Sequence, residues 1–140
     1  MHDVVIYTDG SCRKNKKGGW GSILIYKETV KEISGSSFNT TNNQMELQAP
    51  IEALKLLKFK CNVTIYSDSQ YVVNGANSWM YKWISNNWTT STNKPVKNVD
   101  LWKELYGLCS LHNVKFKWVK GHNGDFYNER CDILATSQSS

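Results

Sequence analysis

The sequence lacks the features that mark several protein classes. Its longest unbroken apolar runs are four residues, as in Val4-Val5-Ile6-Tyr7, whereas a membrane-spanning helix needs about 20. Its four cysteines form no C-x-x-C pair, which argues against a structural zinc site. The chain contains no internal repeat, low-complexity block or linker. These absences leave a globular protein without a membrane helix.

No targeting segment is predicted at the start of the chain. Met1-His2-Asp3 leads directly into a strand-like run, so we expect neither a signal nor a transit peptide. Without a secretory signal, the four cysteines are expected to be free thiols in a reducing compartment. We therefore expect an intracellular protein of the cytoplasm. The four are Cys12, Cys61, Cys109 and Cys131.

The composition is that of a basic globular domain. The 140 residues are 40% hydrophobic and 21% charged, which fits a single domain over residues 1–140. Seventeen Lys and Arg against twelve Asp and Glu give a net charge of +5. This charge suits nucleic acid, an acidic membrane surface or an acidic substrate, and does not choose among them. Six Trp and seven Tyr fill either a core or a stacking surface.

The hydrophobic periods predict a mixed α/β sheet flanked by helices. Strands are expected at about 4–9, 20–27, 30–38, 62–67 and 114–119. Helices are expected at about 43–58, 69–76, 99–111 and 125–136, with Pro50 bending the first. Residues 77–98 are rich in Trp, Asn, Ser and Thr without a clean period, and residues 137–140 are predicted to be a frayed tail.

Four carboxylates are candidates for chemistry. Asp9 and Asp68 each end a predicted strand, and they would meet at one sheet edge if those strands are neighbours. Glu46 is expected in the first turn of the helix between them, and Asp132 in the last helix. Taken singly, each is more commonly a turn residue, a helix cap or a partner of the helix dipole. Together they need a positive partner, and hard divalent cations favour oxygen ligands.

Five motifs in order resemble type 1 ribonuclease H, in particular the cellular bacterial form. The resemblance extends from Val4 to Ala135, nearly the whole chain. The motifs are TDGSC at 8–12, TTNNQMEL at 40–47, SDSQYV at 67–72, KPVKNVDLW at 94–102, and WVKGHNG at 118–124 followed by NERCD at 128–132.

This resemblance implies a fold and an activity. The fold is the ribonuclease H-like α/β fold, a central five-stranded mixed sheet flanked by helices, with a Trp-rich helical protrusion at about 77–98. The activity is endonucleolytic hydrolysis of the RNA strand of RNA–DNA hybrids, leaving 3′-hydroxyl and 5′-phosphate ends. The implied cofactor is Mg²⁺, two ions per site, with Mn²⁺ as a substitute. We expect a monomer that acts on the hybrid and not on membranes.

The resemblance also implies roles for the site residues. Asp9 would bridge both ions, Asp132 would help to hold the ion that activates water, and Glu46 and Asp68 would hold the ion near the leaving oxygen. His122, in a loop flanked by glycines, would handle protons and assist product release. Taken alone, a loop histidine is more commonly a solvated surface residue.

Further residues match family positions that contact the hybrid. Trp79 and Trp83 are expected to contact the DNA strand, whereas Trp88 is expected to pack in a local core. Thr41 and Asn98 are expected at a DNA phosphate. The RNA minor groove, where short polar groups read 2′-hydroxyls, is expected to be lined by Cys12, Asn15, Asn42, Asn43 and Gln70. Singly, these five are more commonly turn or cap residues.

The chain departs from the family pattern in its charges. The protrusion carries few cations, namely Lys82, Lys94 and Lys97, so we expect weaker and less salt-dependent binding. Asn39 stands where an arginine is common, two residues before Thr41, and lacks a guanidinium's bidentate grip. Positive charge has instead collected in residues 13–17, where the family commonly has Gly and Pro.

Two alternatives keep the fold and change the function. One is a nucleic-acid-binding module with an inactive site, against which the four intact carboxylates argue. The other is an integrase, transposase or junction resolvase, which the fold alone does not exclude. The motif at 94–102 and the Trp-rich protrusion favour ribonuclease H.

Overall fold

A computed structural model describes residues 1–140. Five strands and five α-helices follow one another along the chain, and a π-helical turn at Gly75–Trp79 joins the second helix to the third. None of the helices has the length and apolarity that crossing a membrane requires. The strands are β1 (His2–Cys12), β2 (Gly18–Tyr26), β3 (Thr29–Ser37), β4 (Cys61–Ser67) and β5 (Asn113–Trp118); the helices are α1 (Asn42–Lys55), α2 (Gln70–Asn74), α3 (Met80–Ser85), α4 (Val99–Cys109) and α5 (Phe126–Gln138).

The sheet confirms the predicted mixed topology. Its strand order is β3-β2-β1-β4-β5, with antiparallel pairing among the first three strands and parallel pairing from β1 through β4 to β5. The register pairs Thr8 with Ser67. Because β1 and β4 are parallel neighbours, their carboxyl ends lie at the same edge of the sheet.

Helices cover both faces of the two central strands. A Cβ added to Gly10 of β1 would meet the α1 backbone, whereas one added to Gly21 of β2 would meet Leu134 of α5. Gly21 pairs with Asp9, the neighbour of Gly10 in β1, and neighbouring residues of a strand point to opposite faces. Gly10 and Gly21 therefore face opposite sides of the sheet, with α1 on one side and α5 on the other. The main core includes Ile6, Ile65 and Trp102, each fully buried. The four cysteines are free thiols, as predicted.

Helix α1 differs from its prediction in position. It begins at Asn42, with Thr41 as N-cap accepting a hydrogen bond from the Gln44 N–H, and it ends at Lys55. Glu46 therefore lies in the second turn, and its predicted place in the first turn is wrong. Leu56, predicted in the apolar stripe, lies beyond the helix and is 40% exposed. The helix is continuous through the fully buried Pro50.

The helical segment after β4 is longer than predicted. It continues from Gln70 through the π-helical turn to Ser85, whereas an end at about residue 76 was expected. Gly75 lies within this segment, where the Trp102 side chain packs so close that a Cβ at Gly75 would lie 2.2 Å from its ring. The protrusion is therefore helical in its first part, and a bridge between Thr89 and Pro95 closes its loop.

The prediction of a frayed tail at residues 137–140 is wrong. Helix α5 runs to Gln138, Ser139 is 1% exposed, and its N–H donates to the Ala135 carbonyl at 3.1 Å. The cause is a close approach to β2, where a Cβ on Gly19 would lie 2.7 Å from the Ser139 nitrogen. Lys17 adds a bond from its Nζ to the Ser140 carbonyl at 2.6 Å.

Candidate active site

Three of the predicted carboxylates come together where the parallel pairing of β1 with β4 ends. The prediction that Asp9 ends its strand is wrong, because β1 continues to Cys12 in its pairing with β2. Asp9 and Asp68 follow the paired residues Thr8 and Ser67, and Glu46 reaches them from α1. One oxygen from each of Asp9, Glu46 and Asp68 lies within 4.8 Å of the other two. We call these three residues the carboxylate cluster.

Glycine at position 10 permits this assembly. A Cβ there would lie 2.4 Å from the Glu46 nitrogen and 2.4 Å from the Met45 carbonyl carbon, which is too close for atoms that are not bonded to each other. Helix α1 therefore rests directly on the β1 backbone. This contact places the Glu46 carboxylate beside Asp9.

Burial and mutual repulsion define the electrostatics of the carboxylate cluster. Asp9 is 5% exposed and Glu46 is 6% exposed. The pKa of Asp9 is raised to about 8, mainly by burial and next by the negative charge of Asp68. Burial, with the charges of Asp9 and Asp68, raises the pKa of Glu46 well above its ordinary value. The pKa of Asp68 is also raised, chiefly by burial.

Few hydrogen bonds compensate this repulsion. The Gly10 N–H donates to Asp9 Oδ1 at 2.9 Å, but Glu46 Oε1 is buried without any hydrogen-bond partner. Buried polar atoms are nearly always paired, so this orphaned oxygen indicates a missing positive partner. A hard divalent cation fits, because its preferred ligands are carboxylate oxygens.

Asp132 and His122 lie near the carboxylate cluster and outside it. Asp132 is half-buried on α5, and its negative charge contributes to the raised pKa values of Asp9 and Asp68. His122 is exposed with φ at +54°, and its imidazole is near enough to lower the pKa of Asp68. The sequence reasoning assigned no role to Asn128, a 2% exposed residue of α5 whose side-chain amide also lowers the Asp68 pKa.

The residues predicted to line the groove lie close in sequence to the members of the carboxylate cluster. Cys12 follows Asp9 by three residues, and its Sγ donates to the Thr40 carbonyl at 3.4 Å. Asn42 and Asn43 are exposed in the first turn of α1, and Gln70 is exposed at the start of α2. Two predicted contacts also have local structural roles: Thr41 caps α1, and Asn15 Oδ1 accepts the Lys17 N–H at 3.0 Å.

A hydrogen-bonded chain holds Asn98 in place. Gln44 Nε2 donates to Asn98 Oδ1 at 3.2 Å, and Asn98 Nδ2 donates to the Tyr71 hydroxyl at 3.2 Å. Trp102 Nε1 donates to the same hydroxyl at 2.9 Å. Asn98 has a left-handed backbone with φ at +58°. Gln44 and Tyr71 thus position Asn98, a role that was not predicted although both residues lie within the motifs at 40–47 and 67–72.

The three tryptophans of the protrusion differ in how far they are exposed to solvent. Trp79 is 38% exposed, whereas Trp83 is half-buried with its ring centre 5.3 Å from that of Trp102. Trp88 is half-buried and packs edge-on against Tyr106 at 6.2 Å. The local core expected under Trp88 is thus observed, and Trp79 is the more available of the two predicted contact residues.

Without metal, the repulsion in the carboxylate cluster predicts that Glu46→Gln stabilises the fold. A carboxyl group whose pKa is raised by folding favours the folded state below its ordinary value of 4.5, and this contribution is lost as the pH rises. In excess chelator at pH 8 we expect a gain of about 1–3 kcal/mol, or several degrees in Tm. Thermal unfolding from pH 4 to 9 measures it, and the gain should shrink toward pH 4.

The matched control is Glu28→Gln in the exposed turn between β2 and β3, which should leave Tm unchanged. A Glu46→Gln variant less stable than the parent at pH 8 would contradict the assigned repulsion.

A family model and sequence relatives match this chain over almost its full length. The family model is RNase H, and it matches residues 1–140. A ribonuclease H from Caldicellulosiruptor saccharolyticus is 55% identical over 139 residues, covering 98% of this chain and 96% of the relative. A ribonuclease H from Ehrlichia canis is 52% identical over 141 residues, covering 100% and 97%.

Solved structures share the fold. A type 1 RNase H with the type 2 active-site motif, LC9-RNase H1, has a TM-score of 0.90 at 28% identity, covering 99% of this chain and 72% of that one. The RNase H domain of PFV has a TM-score of 0.84 at 29% identity, covering 99% and 95%. A foamy viral protease-reverse transcriptase solved with RNA/DNA hybrid has a TM-score of 0.86 at 24% identity, covering 99% of this chain and 20% of that one.

The sheet, the carboxylate cluster and these matches define the class of the protein, which is a ribonuclease, a hydrolase of phosphodiester bonds. More narrowly, the chain belongs to the ribonuclease H family, and its fold is that of a type 1 member. The resemblance drawn from the five motifs is confirmed. Both alternatives, the inactive binding module and the other nuclease classes, are set aside by family membership together with the intact carboxylates.

Proposed function

We propose that this protein is an endonuclease that hydrolyses the RNA strand of RNA–DNA hybrids with two divalent ions, Mg²⁺ in the first place and Mn²⁺ as a substitute. The carboxylate cluster with its orphaned Glu46 oxygen carries the proposal. Its buried carboxyl groups have raised pKa values and accept few hydrogen bonds. Bound cations would offset the repulsion among their negative charges. Family membership supports cleavage of the RNA in hybrids.

Asp9, Glu46, Asp68 and Asp132 would hold the ions. When bound, the ions supply positive charge that neutralises the reacting phosphate and makes water more acidic. Asp9 would help to hold both ions, because it lies on the central strand and its pKa is affected by Glu46, Asp68 and Asp132 alike. Its bond from the Gly10 N–H fixes one oxygen.

We assign the proton transfer that accompanies hydrolysis to His122. Hydrolysis adds water to phosphorus and breaks the bond to the 3′ oxygen, which leaves a 3′-hydroxyl and a 5′-phosphate. His122 is exposed beside Asp68, so its imidazole can carry a proton between the site and solvent.

We assign recognition of the hybrid to the residues around the carboxylate cluster. Short polar groups suit the 2′-hydroxyls of the RNA minor groove, and such groups are provided by Cys12, Asn15, Asn42, Asn43 and Gln70. Thr41 and Asn98 would contact a DNA phosphate, since the Gln44 bridge ties Asn98 to the first turn of α1. Trp79 and Trp83 would contact the DNA strand through the groove that they line with Lys82. The protein would act as a monomeric single domain over residues 1–140.

Cleavage assays on three substrates test this function. We expect the RNA strand of a hybrid to be cut in Mg²⁺ or Mn²⁺, with duplex DNA and duplex RNA left intact. Ca²⁺ should support binding and not turnover, because it is larger and accepts looser geometry than Mg²⁺. A polymerase should extend the products if they carry 3′-hydroxyl ends. Full activity in excess chelator, or equal cutting of duplex DNA, would refute the proposal.

A further inference from the structure

A group of cations lies beside the edge of the sheet that carries the carboxylate cluster. Residues 13–17 connect β1 to β2, and we call them the basic turn. Their sequence, Arg-Lys-Asn-Lys-Lys, holds four cations and no acid. None of the four forms a salt bridge. No Asp or Glu side chain therefore neutralises the basic turn, which favours an anionic partner.

The basic turn has a fixed backbone. The Arg13 N–H donates to the Lys17 carbonyl at 3.0 Å, and the Lys16 N–H donates to the Arg13 carbonyl at 2.9 Å. The Thr40 N–H donates to the Lys16 carbonyl at 3.1 Å, which joins the turn to the residue before the α1 N-cap. A ligand that binds here meets a preorganised turn, so less entropy is lost on binding.

Two of the four cations are free to bind a ligand. Lys17 donates to the Ser140 carbonyl at 2.6 Å and lies 5.5 Å from the centre of the Phe38 ring. Arg13 donates to Ser140 Oγ at 3.3 Å. The side chains of Lys14 and Lys16 are exposed and make neither a hydrogen bond nor a salt bridge.

The position of the basic turn brings these two lysines within reach of a bound duplex. Cys12 lies three residues beyond Asp9 on the same strand, a distance of about 10 Å at 3.3 Å per residue. A duplex carries roughly six phosphates over 10 Å of its axis. A hybrid with its scissile phosphate at the carboxylate cluster therefore extends past the turn with several charges.

We propose that Lys14 and Lys16 bind backbone phosphates of the RNA–DNA hybrid, several nucleotides from the cleaved bond. This inference rests on the proposed function. The basic turn would then supply part of the positive charge that holds the hybrid. The protrusion has only three cations of its own, Lys82, Lys94 and Lys97.

The salt dependence of hybrid affinity tests this assignment. Binding is measured from 50 to 300 mM KCl in an Asp9→Asn background, which prevents cleavage, with and without Lys14→Gln/Lys16→Gln. Each lost phosphate contact should lower the slope of log K against log salt by about 0.9. We expect the double variant to lower it by about 1.5–2 and to weaken binding by roughly tenfold at 150 mM.

The control pair is Lys31→Gln/Lys58→Gln. These exposed lysines line a groove with His2 at the start of β1, away from the carboxylate cluster, and removing them changes the net charge by the same amount. We expect the control to leave the slope unchanged. In the active enzyme, the Lys14/Lys16 pair of substitutions should raise KM and leave kcat unchanged.

The outcomes separate this inference from the function on which it rests. A Lys14/Lys16 variant with the same slope as the control variant would overturn the phosphate contacts, even if the parent cuts hybrids. A parent that neither binds nor cuts hybrids would instead overturn the proposed function.

Discussion

Asp9→Asn is expected to reduce hybrid cleavage by on the order of 1,000-fold or more, equivalent to about 4 kcal/mol of transition-state stabilisation, while hybrid binding survives. Asp9 is 5% exposed, and one of its oxygens lies within 4.8 Å of an oxygen of Glu46 and of Asp68, so its loss removes one charge from a cluster that has no exposed substitute. Asparagine keeps the shape of the side chain and can still accept the Gly10 N–H. Single-turnover cleavage in Mg²⁺ and binding in Ca²⁺ measure the two effects separately.

Asp3→Asn is the matched control for this substitution. Asp3 is exposed near the other end of β1 and accepts a bond only from the Asn62 amide at 3.1 Å, so the same chemical change there should leave cleavage unaffected. His122→Ala should give an intermediate result, a slowing of about 100-fold or less. An Asp9→Asn enzyme that cleaves within tenfold of the parent would contradict the proposed site.

Gly10→Ala is expected to damage both stability and activity. The new Cβ would lie 2.4 Å from the backbone nitrogen of Glu46, so α1 has to move away from β1. Overpacking of this kind costs about 1–3 kcal/mol or more, which corresponds to roughly 5–10 °C in Tm. The movement displaces the Glu46 carboxylate, and a shift of about 1 Å at a reacting site costs on the order of 100-fold in rate. Thermal unfolding and kcat measure these effects.

Gly107→Ala provides the comparison. Gly107 lies in α4, and a Cβ there would meet nothing within 4 Å. Alanine favours a helix over glycine by about 0.5–1 kcal/mol, so Tm should rise slightly with activity unchanged. If Gly10→Ala retained both the parent's Tm and its rate, the close approach of α1 to β1 would not position Glu46.

The sequence predicted the centre of the fold because its signals there are local. Apolar runs leading to Asp9 and Asp68 predicted the two strands, and the two carboxylates were expected to meet only if these strands were neighbours, a condition that the parallel pairing of β1 with β4 meets. Glu46 was identified from its motif, and only its turn within α1 was wrong, because Thr41 caps the helix earlier than the hydrophobic period indicates. The proximity of the three carboxylates thus follows from strand ends and one helix.

The errors lie where distant parts of the chain set the structure. Residues 137–138 remain helical, and Ser139 is buried, because α5 packs against Gly19, more than a hundred residues away in sequence. The helix after β4 includes Gly75, whose lack of a side chain serves the packing of Trp102, a residue far along the chain, and does not mark a helix end. The hydrophobic period of a short segment does not show contacts with residues so far away in sequence. The same reason applies to Tyr71 and Gln44, whose positioning roles depend on a hydrogen-bonded chain through Asn98.

The parallel pairing of β1 with β4 has a consequence for how the chain folds. The pairs β1–β2 and β2–β3 join segments adjacent in sequence, whereas pairing Thr8 with Ser67 closes a loop of about 60 residues, which carries a larger entropic penalty. Contacts of such long range slow folding and form after local ones. Asp9 and Asp68 therefore meet only once this loop has closed. The appearance of divalent-ion binding during refolding should thus report completion of the central sheet, later than the formation of the first hairpins.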